Sequence, residues 1–275
     1  MKLGIVQMPV IPDKMANLSR ARLETIRLAE QGADLILLPE MFCCPYTNAS
    51  FEENADVPPG VAWYQMRDVA RVTEKYIVAG SVPLRRDGAL YNACYVFSPD
   101  GEELTSYEKM HLFDIDIEGG QRFRESDTLN AGDRLTVFDT PFGRVGICIC
   151  FDIRFPELAR LYALAGVQLL LVPAAFNMTT GPAHWELLLR ARALDNQMFV
   201  AACAPARDES AEYVSYAHSM VCSPWGEIRY QAGTEPECAL VELDLAETDK
   251  VRRELPLLSA RRTDLYELVF HSSSE

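Results

Sequence analysis

Leu35-Ile-Leu-Leu38 carries no polar side chain. A strand of that kind is buried on both faces, so it belongs inside a layered structure and not on a one-sided surface sheet. The segments around it fit the same demand. Residues 2–8 read as a second buried strand. Asp13 is placed to cap a helix over 16–29, where Leu18, Ala21, Leu23, Ile26 and Ala29 recur at helical spacing, and Gly32 ends it. Another helix is expected over 61–76, behind Pro58-Pro59-Gly60. Strands follow at 77–82, 92–97 and 104–109, parted by the turns Arg86-Asp87-Gly88 and Ser98-Pro99-Asp100-Gly101.

The second half repeats the scheme. Strands are expected at 135–138 and 144–149 around Pro141-Phe142-Gly143, then a helix at 156–165, a strand at 168–172, a helix at 184–196 and a strand at 198–204. Strands at 219–223 and 227–230 flank the turn Pro224-Trp225-Gly226, and a strand at 239–243 and a short helix at 247–253 close the pattern. The long stretch 111–133 is charged and glycine-rich, but Phe113, Ile115, Ile117, Phe123 and Leu129 favour an ordered loop, which at that length is usually functional. Strands alternating with helices, with several hairpins, predict an α/β structure with one or two mixed sheets covered by helices. Nothing in the composition marks a linker, so residues 1–275 are expected to form one domain with a disordered tail over about 268–275.

The net charge of −14 excludes a nucleic-acid binder and an anionic membrane surface as partners, because both need a basic face. No apolar run nears the ~20 residues of a membrane span. The chain enters its first strand at once, which predicts no signal peptide. The eight cysteines form no C-x-x-C pair, and most lie in apolar runs as free core thiols do. Together these features predict a cytoplasmic protein with reduced thiols.

Three strand ends carry reactive groups. In Arg144-Val-Gly-Ile-Cys-Ile-Cys-Phe-Asp-Ile-Arg-Phe-Pro-Glu-Leu158, an apolar run stops at Cys150 and Pro156 opens a helical pattern. A thiol at such a corner projects past the sheet edge, where free backbone N–H groups favour a thiolate and can hold an oxyanion. Cys148 lies deeper and reads as core. Glu40 follows Leu35-Ile-Leu-Leu-Pro39; it reads equally as a solvated loop carboxylate or as a buried base with a raised pKa. Lys109, among Met110, His111 and Phe113, reads as a surface cation or as an oxyanion partner. A cysteine–histidine pair through His111 or His218 is the competing way to activate the thiol. His184 sits beside Trp185 and reads as packing, and His271 lies in the tail. Nothing in the spacing suggests a metal site, and the Gly-x-Ser-x-Gly, Walker-type and Gly-x-Gly-x-x-Gly signatures are absent.

Leu37-Leu-Pro-Glu-Met41, Tyr107-Glu-Lys-Met-His-Leu-Phe-Asp114 and Gly146-Ile-Cys-Ile-Cys-Phe-Asp-Ile-Arg-Phe-Pro-Glu-Leu158 resemble the nitrilase, or carbon–nitrogen hydrolase, superfamily in the order of their Glu, Lys and Cys. Phe123-Arg-Glu-Ser126, Phe176-Asn-Met-Thr-Thr-Gly-Pro-Ala-His-Trp-Glu-Leu187 and Ser223-Pro-Trp-Gly226 are most similar to its ω-amidase branch. The resemblance implies an αββα four-layer sandwich with two mixed sheets, whose subunits pair as homodimers or higher oligomers. It implies hydrolysis of the ω-amide of 2-oxoglutaramate and 2-oxosuccinamate with no cofactor. Glu40, Lys109 and Cys150 match the catalytic positions, and Glu125 matches a second glutamate of the site. Tyr46, Phe176 and Thr180 match pocket residues. Phe151, where many members have tyrosine, and Cys43-Cys44 depart from the pattern without touching the catalytic positions.

The expected chemistry is attack by the Cys150 thiolate after Glu40 takes its proton, with Lys109 and the Phe151 N–H on the oxyanion. Arg154 is the candidate reader of the substrate's carboxylate, since its fork matches one bidentately. Its alternative is an ion pair with Asp152 or Glu157. Two other functions compete: a different amidase of the same superfamily, acting on deaminated glutathione, an N-carbamoyl amine or an aliphatic amide, and a non-catalytic interaction protein that keeps the fold.

Overall fold

The computed structural model describes residues 1–118 and 121–271. Gly119, Gly120 and Ser272-Ser-Ser-Glu275, the end of the expected disordered tail, lie outside the described residues.

One sheet contains β1 (Lys2–Gln7), β2 (Leu35–Leu37), β3 (Tyr76–Arg86), β4 (Ala89–Phe97), β5 (Glu103–Glu108) and β14 (Glu237–Glu242), in the order β14-β1-β2-β3-β4-β5. The other contains β8 (Thr136–Thr140), β9 (Gly143–Ile147), β10 (Leu169–Pro173), β11 (Phe199–Cys203), β12 (Met220–Cys222) and β13 (Ile228–Gln231), in the order β13-β12-β11-β10-β9-β8. Each sheet is parallel in its middle, through β1-β2-β3 and β9-β10-β11, and antiparallel at its flanks. Parallel neighbours need crossovers, which here run through α1 (Lys14–Glu30), α3 (Val61–Thr73), α4 (Pro156–Leu164) and α5 (Gly181–Asn196).

Alternation along each strand feeds two cores. Leu3, Ile5, Leu35 and Leu37 join Val145, Ile147, Leu169 and Leu171 in a core between the sheets. Val6, Ile36 and Leu38 point the other way, onto Leu18, Leu28, Met66 and Val69 of α1 and α3. Trp185, Leu189 and Ala193 of α5 cover the second sheet. The layers therefore run helix, sheet, sheet, helix: the αββα sandwich expected from the sequence.

The helix over Lys14–Glu30 is capped as expected, Ala16 N–H donating to the Asp13 carboxylate at 3.0 Å. The helix expected over 61–76 stops at Thr73, because Glu74 turns left-handed at φ 54°. An additional helix, α2 (Asn48–Asn54), was invisible in the sequence: it buries only Phe51 and owes its start to Thr47, whose hydroxyl accepts from Ser50 N–H at 3.2 Å. The stretch 111–133 is ordered where described. It holds a small hairpin of β6 (Asp114–Asp116) and β7 (Arg122–Arg124), then a 3₁₀ turn over Glu125–Asp127. α6 (Ala246–Glu254) ends the regular structure.

Candidate active site

Three chain reversals past strand ends form the site. After β2, the segment Leu38-Pro39-Glu40 runs against a bulge in β3. Ser81 N–H donates to the Pro39 carbonyl at 3.2 Å, and the Ser81 hydroxyl accepts from Met41 N–H at 2.9 Å. Met41 sits at φ 49°, a left-handed conformation that only a well-held reversal sustains. After β5, Lys109 N–H donates to the Asn92 carbonyl at 2.9 Å. After β9, Cys150 sits at φ 48° and opens a 3₁₀ turn over Cys150–Arg154. The sequence predicted a direct step from strand to helix; the 3₁₀ turn intervenes, and α4 begins only at Pro156.

Asp152 fixes this turn. Its carboxylate accepts from Ile149 N–H at 2.9 Å, the Tyr107 hydroxyl at 2.7 Å and His111 N–H at 2.8 Å, and lies 2.7 Å from His111 Nδ1. The His111 ring stacks on Phe155 at 3.7 Å. Among the described residues no histidine nitrogen bonds to the Cys150 sulfur, which accepts from Ala175 N–H at 3.4 Å.

Glu40, Lys109, Glu125 and Cys150 meet in one buried cluster. Lys109 Nζ lies 2.9 Å from both Glu40 Oε1 and Glu125 Oε1 and 3.1 Å from the Tyr46 hydroxyl. Glu40 Oε1 also accepts from Asn92 Nδ2 at 2.8 Å and from the Tyr46 hydroxyl at 3.0 Å. Tyr46 bonds Glu125 Oε1 as well. Glu125 Oε2 accepts from Phe113 N–H at 2.6 Å. The Glu40 carboxylate faces the Cys150 thiol: each shifts the other's pKa, the thiol lowering that of Glu40 and the carboxylate raising that of Cys150.

Burial raises the Glu40 pKa, against the lowering effect of Lys109. Burial and the Glu40 charge hold the Cys150 thiol well above its ordinary value, so at rest it is protonated. For Lys109, burial alone would favour the neutral amine, but the Glu125 and Glu40 carboxylates outweigh it and keep the ammonium charged. The arrangement is a protonated thiol beside a basic carboxylate and a fixed cation, the elements of base-assisted nucleophilic attack.

The thiol also lines a small pocket with Phe113, Phe151, Arg154, Phe176 and Thr180, to which Ala175 and Tyr213 contribute. Arg154 forms neither of the ion pairs weighed from the sequence. Its guanidinium stands 4.7 Å over the Phe176 ring and 5.5 Å over the Phe151 ring, and Nη1 meets His184 Nδ1 at 3.0 Å. His184 is thus the neighbour of Arg154 and not a packing residue. Arg154 Nε is buried without a partner. Tyr46 lies on the Glu40 side and not in this small pocket. Asn92, Ala175 and Tyr213 escaped the sequence reading, which had Asp152 only as an alternative partner for Arg154. Asp152, two residues past the thiol, was the one with a visible signal; Tyr213 sits in an irregular loop with none. Among the described residues, no group of three or more His, Cys, Asp or Glu side chains could hold a metal ion.

Residues 2–253 match the carbon–nitrogen hydrolase family, and the chain belongs to it. It is a hydrolase of carbon–nitrogen bonds other than peptide bonds. The chain is 47% identical over 267 residues to the omega-amidase of Bos taurus, covering 97% of each chain. It is 50% identical over 265 residues to an omega-amidase of Xenopus laevis, covering 96% of each. Among solved structures, Saccharomyces cerevisiae Nit3, a member of branch 10 of the nitrilase superfamily, superposes with a TM-score of 0.88 at 36% identity, covering 95% of this chain and 96% of that one. A mutant amidase from Nesterenkonia sp. AN1, with acrylamide added at its active-site cysteine, gives 0.75 at 26% identity, covering 96% and 98%.

Proposed function

We propose that the chain is an ω-amidase, a thiol amidohydrolase that releases the terminal amide of small dicarboxylate monoamides, 2-oxoglutaramate and 2-oxosuccinamate among them, as ammonia. The observation that carries this reading is Arg154. A guanidinium with a buried, unpaired Nε and no carboxylate partner among the described residues shares a pocket with Cys150. An anionic substrate end satisfies it, with the amide carbon then at the sulfur. The omega-amidase relatives support the same substrate class.

Glu40 takes the Cys150 proton and the thiolate attacks the amide carbon. Lys109 and the Phe151 N–H stabilise the oxyanion. Collapse of the tetrahedral adduct breaks the C–N bond as protonated Glu40 gives its proton to the departing nitrogen. Glu40 then takes a proton from water, which attacks the thioester; the C–S bond breaks, Glu40 returns the proton to the leaving sulfur, and the acid departs. Glu125 and Tyr46 hold Lys109 in place. This work is done by one domain, in our reading a cytoplasmic homodimer. The unpaired thiols suit a reducing compartment, and exposed Leu187, Leu194 and Trp225 offer apolar surface for a second copy.

The test is ammonia release from 2-oxoglutaramate, with Cys150→Ala as the control. Turnover by the wild type and none by the variant is expected. Undiminished release by Cys150→Ala would overturn the scheme.

A further inference from the structure

Glu40 Oε1 accepts three hydrogen bonds: from Lys109 Nζ at 2.9 Å, from the Tyr46 hydroxyl at 3.0 Å and from Asn92 Nδ2 at 2.8 Å. The three donors are not equally committed. Lys109 shares its ammonium among Glu40, Glu125 and Tyr46. A tyrosine has a single hydroxyl proton. Tyr46 meets both Glu40 and Glu125, so it serves one carboxylate at a time. Asn92 Nδ2 bonds Glu40 alone among the described residues. Charge decides which way this amide points, since the reverse orientation would set its oxygen against a carboxylate.

Asn92 lies on β4 and is fully buried. Its main-chain carbonyl accepts from Lys109 N–H at 2.9 Å. One residue therefore reaches the carboxylate after β2 with its side chain and the lysine after β5 with its backbone. The same orientation leaves Asn92 Oδ1 buried without a hydrogen-bond partner. A buried acceptor left unpaired costs the fold free energy, a cost that an apolar side chain of similar size avoids. Packing alone does not account for an asparagine at this position.

We propose that Asn92 is a positioning residue for the reaction, whose amide fixes the rotation of the Glu40 carboxylate and favours its ionised form. The inference rests on Glu40 being the base, as read above. The terminal torsion of a glutamate has no sharp preference of its own, so the donors around it decide where its oxygens point. Held at Oε1 by Asn92 and Lys109, the carboxylate offers its other oxygen to the thiol proton. Asn92 itself does not titrate. The charged and titratable groups that face Glu40 are Tyr46 after β2, Lys109 after β5, Glu125 of the 3₁₀ turn, Cys150 after β9 and Tyr213 between β11 and β12. Burial raises the Glu40 pKa, Lys109 and the Cys150 thiol lower it, and Glu125 raises it. Burial holds both tyrosines neutral. A donor bonded to the ionised form lowers a carboxylate's pKa, so loss of the Asn92 amide moves ionisation of the base to higher pH.

The test uses the full chain and depends on no particular substrate. The rate at which iodoacetamide alkylates Cys150 is followed by mass spectrometry as a function of pH, in the wild type, Glu40→Gln and Asn92→Leu. Wild-type alkylation should rise along an acid limb that reports Glu40 ionising, and Glu40→Gln should lack that limb. Asn92→Leu removes the donor at similar size. It should move the limb up by about one pH unit, a tenfold change in the proton affinity of Glu40. Should Asn92→Leu fail to fold, Asn92→Ala carries the same test. An acid limb left in place in a folded Asn92 variant, however slow the alkylation, would make Asn92 a structural residue only and overturn the proposal. An acid limb retained by Glu40→Gln would instead overturn the reading of Glu40 as the base, and this inference with it.

Discussion

Burial makes the ionised form of Glu40, the form that catalysis needs, the costlier one for the fold. Its pKa is raised by burial above 4.5, so the native state binds its proton more tightly than the unfolded chain does. Its contribution to stability is therefore complete below about pH 4.5 and is lost as pH climbs through the higher native value. Activity runs the opposite way, because only ionised Glu40 can accept the thiol proton. Ammonia release should rise with pH along an acid limb displaced upward from the ordinary carboxylate range. Glu40→Gln should abolish turnover yet melt at or above the wild-type temperature at pH 8, since it removes a buried charge and keeps an acceptor oxygen for Lys109. An active Glu40→Gln enzyme would contradict its role as the base. Arg154 makes a second prediction at this scale. Lysine keeps the charge but loses the planar fork, and a charge-assisted hydrogen bond is worth about 1.5–3 kcal/mol. Arg154→Lys should raise KM for 2-oxoglutaramate by about tenfold or more, and much less for a neutral short-chain amide. Equal losses on both would remove Arg154 from carboxylate recognition.

Between elements, the placement of Glu40 depends on how closely β3 approaches the end of β2. A Cβ on Gly80 would stand 2.0 Å from the Pro39 carbonyl oxygen and 2.7 Å from that of Leu38, both backbone atoms that cannot yield locally. Gly80→Ala should therefore push Glu40 out of register, lowering melting temperature and activity together. Ser81→Ala removes one hydroxyl contact to Met41 N–H and should cost about 1 kcal/mol of stability with a smaller loss of rate. Thermal melts and ammonia release on the two variants separate these effects; a Gly80→Ala protein with wild-type activity would refute the register argument. The sequence showed part of this arrangement. Apolar runs ending abruptly at Glu40 and Cys150 marked two of the reversals, because a strand's burial pattern is local. The bulge at Gly80 and the bonds of Asp152 were hidden, because their partners lie tens of residues away. α2 was hidden for a different reason: with only Phe51 buried, it has no apolar period to read. Tyr213 stands in a loop where no spacing rule applies, yet it lines the pocket at Cys150.

Across the whole molecule, the site draws on both sheets. Glu40 and Lys109 leave the ends of β2 and β5, while Cys150 leaves the end of β9 in the other sheet. The distance between nucleophile and base is therefore set by how the sheets pack, and a polar strut beside the site crosses between the two halves. Tyr107 of β5, buried at 1% exposure and two residues before Lys109, donates its hydroxyl to Asp152 Oδ2 at 2.7 Å. It ties the lysine's strand to the cysteine's turn. Tyr107→Phe keeps the ring's packing and removes only the tie, leaving the buried Asp152 carboxylate with one fewer donor. That should cost about 1–3 kcal/mol of stability, or roughly 2–4 °C of melting temperature per kcal/mol. A merely structural strut would show in the melt alone. If the strut positions the thiol, kcat should fall by about tenfold while KM, set at Arg154, changes little. Unchanged kcat in a folded Tyr107→Phe protein would show that the apolar core between the sheets holds the two halves of the site in place without it.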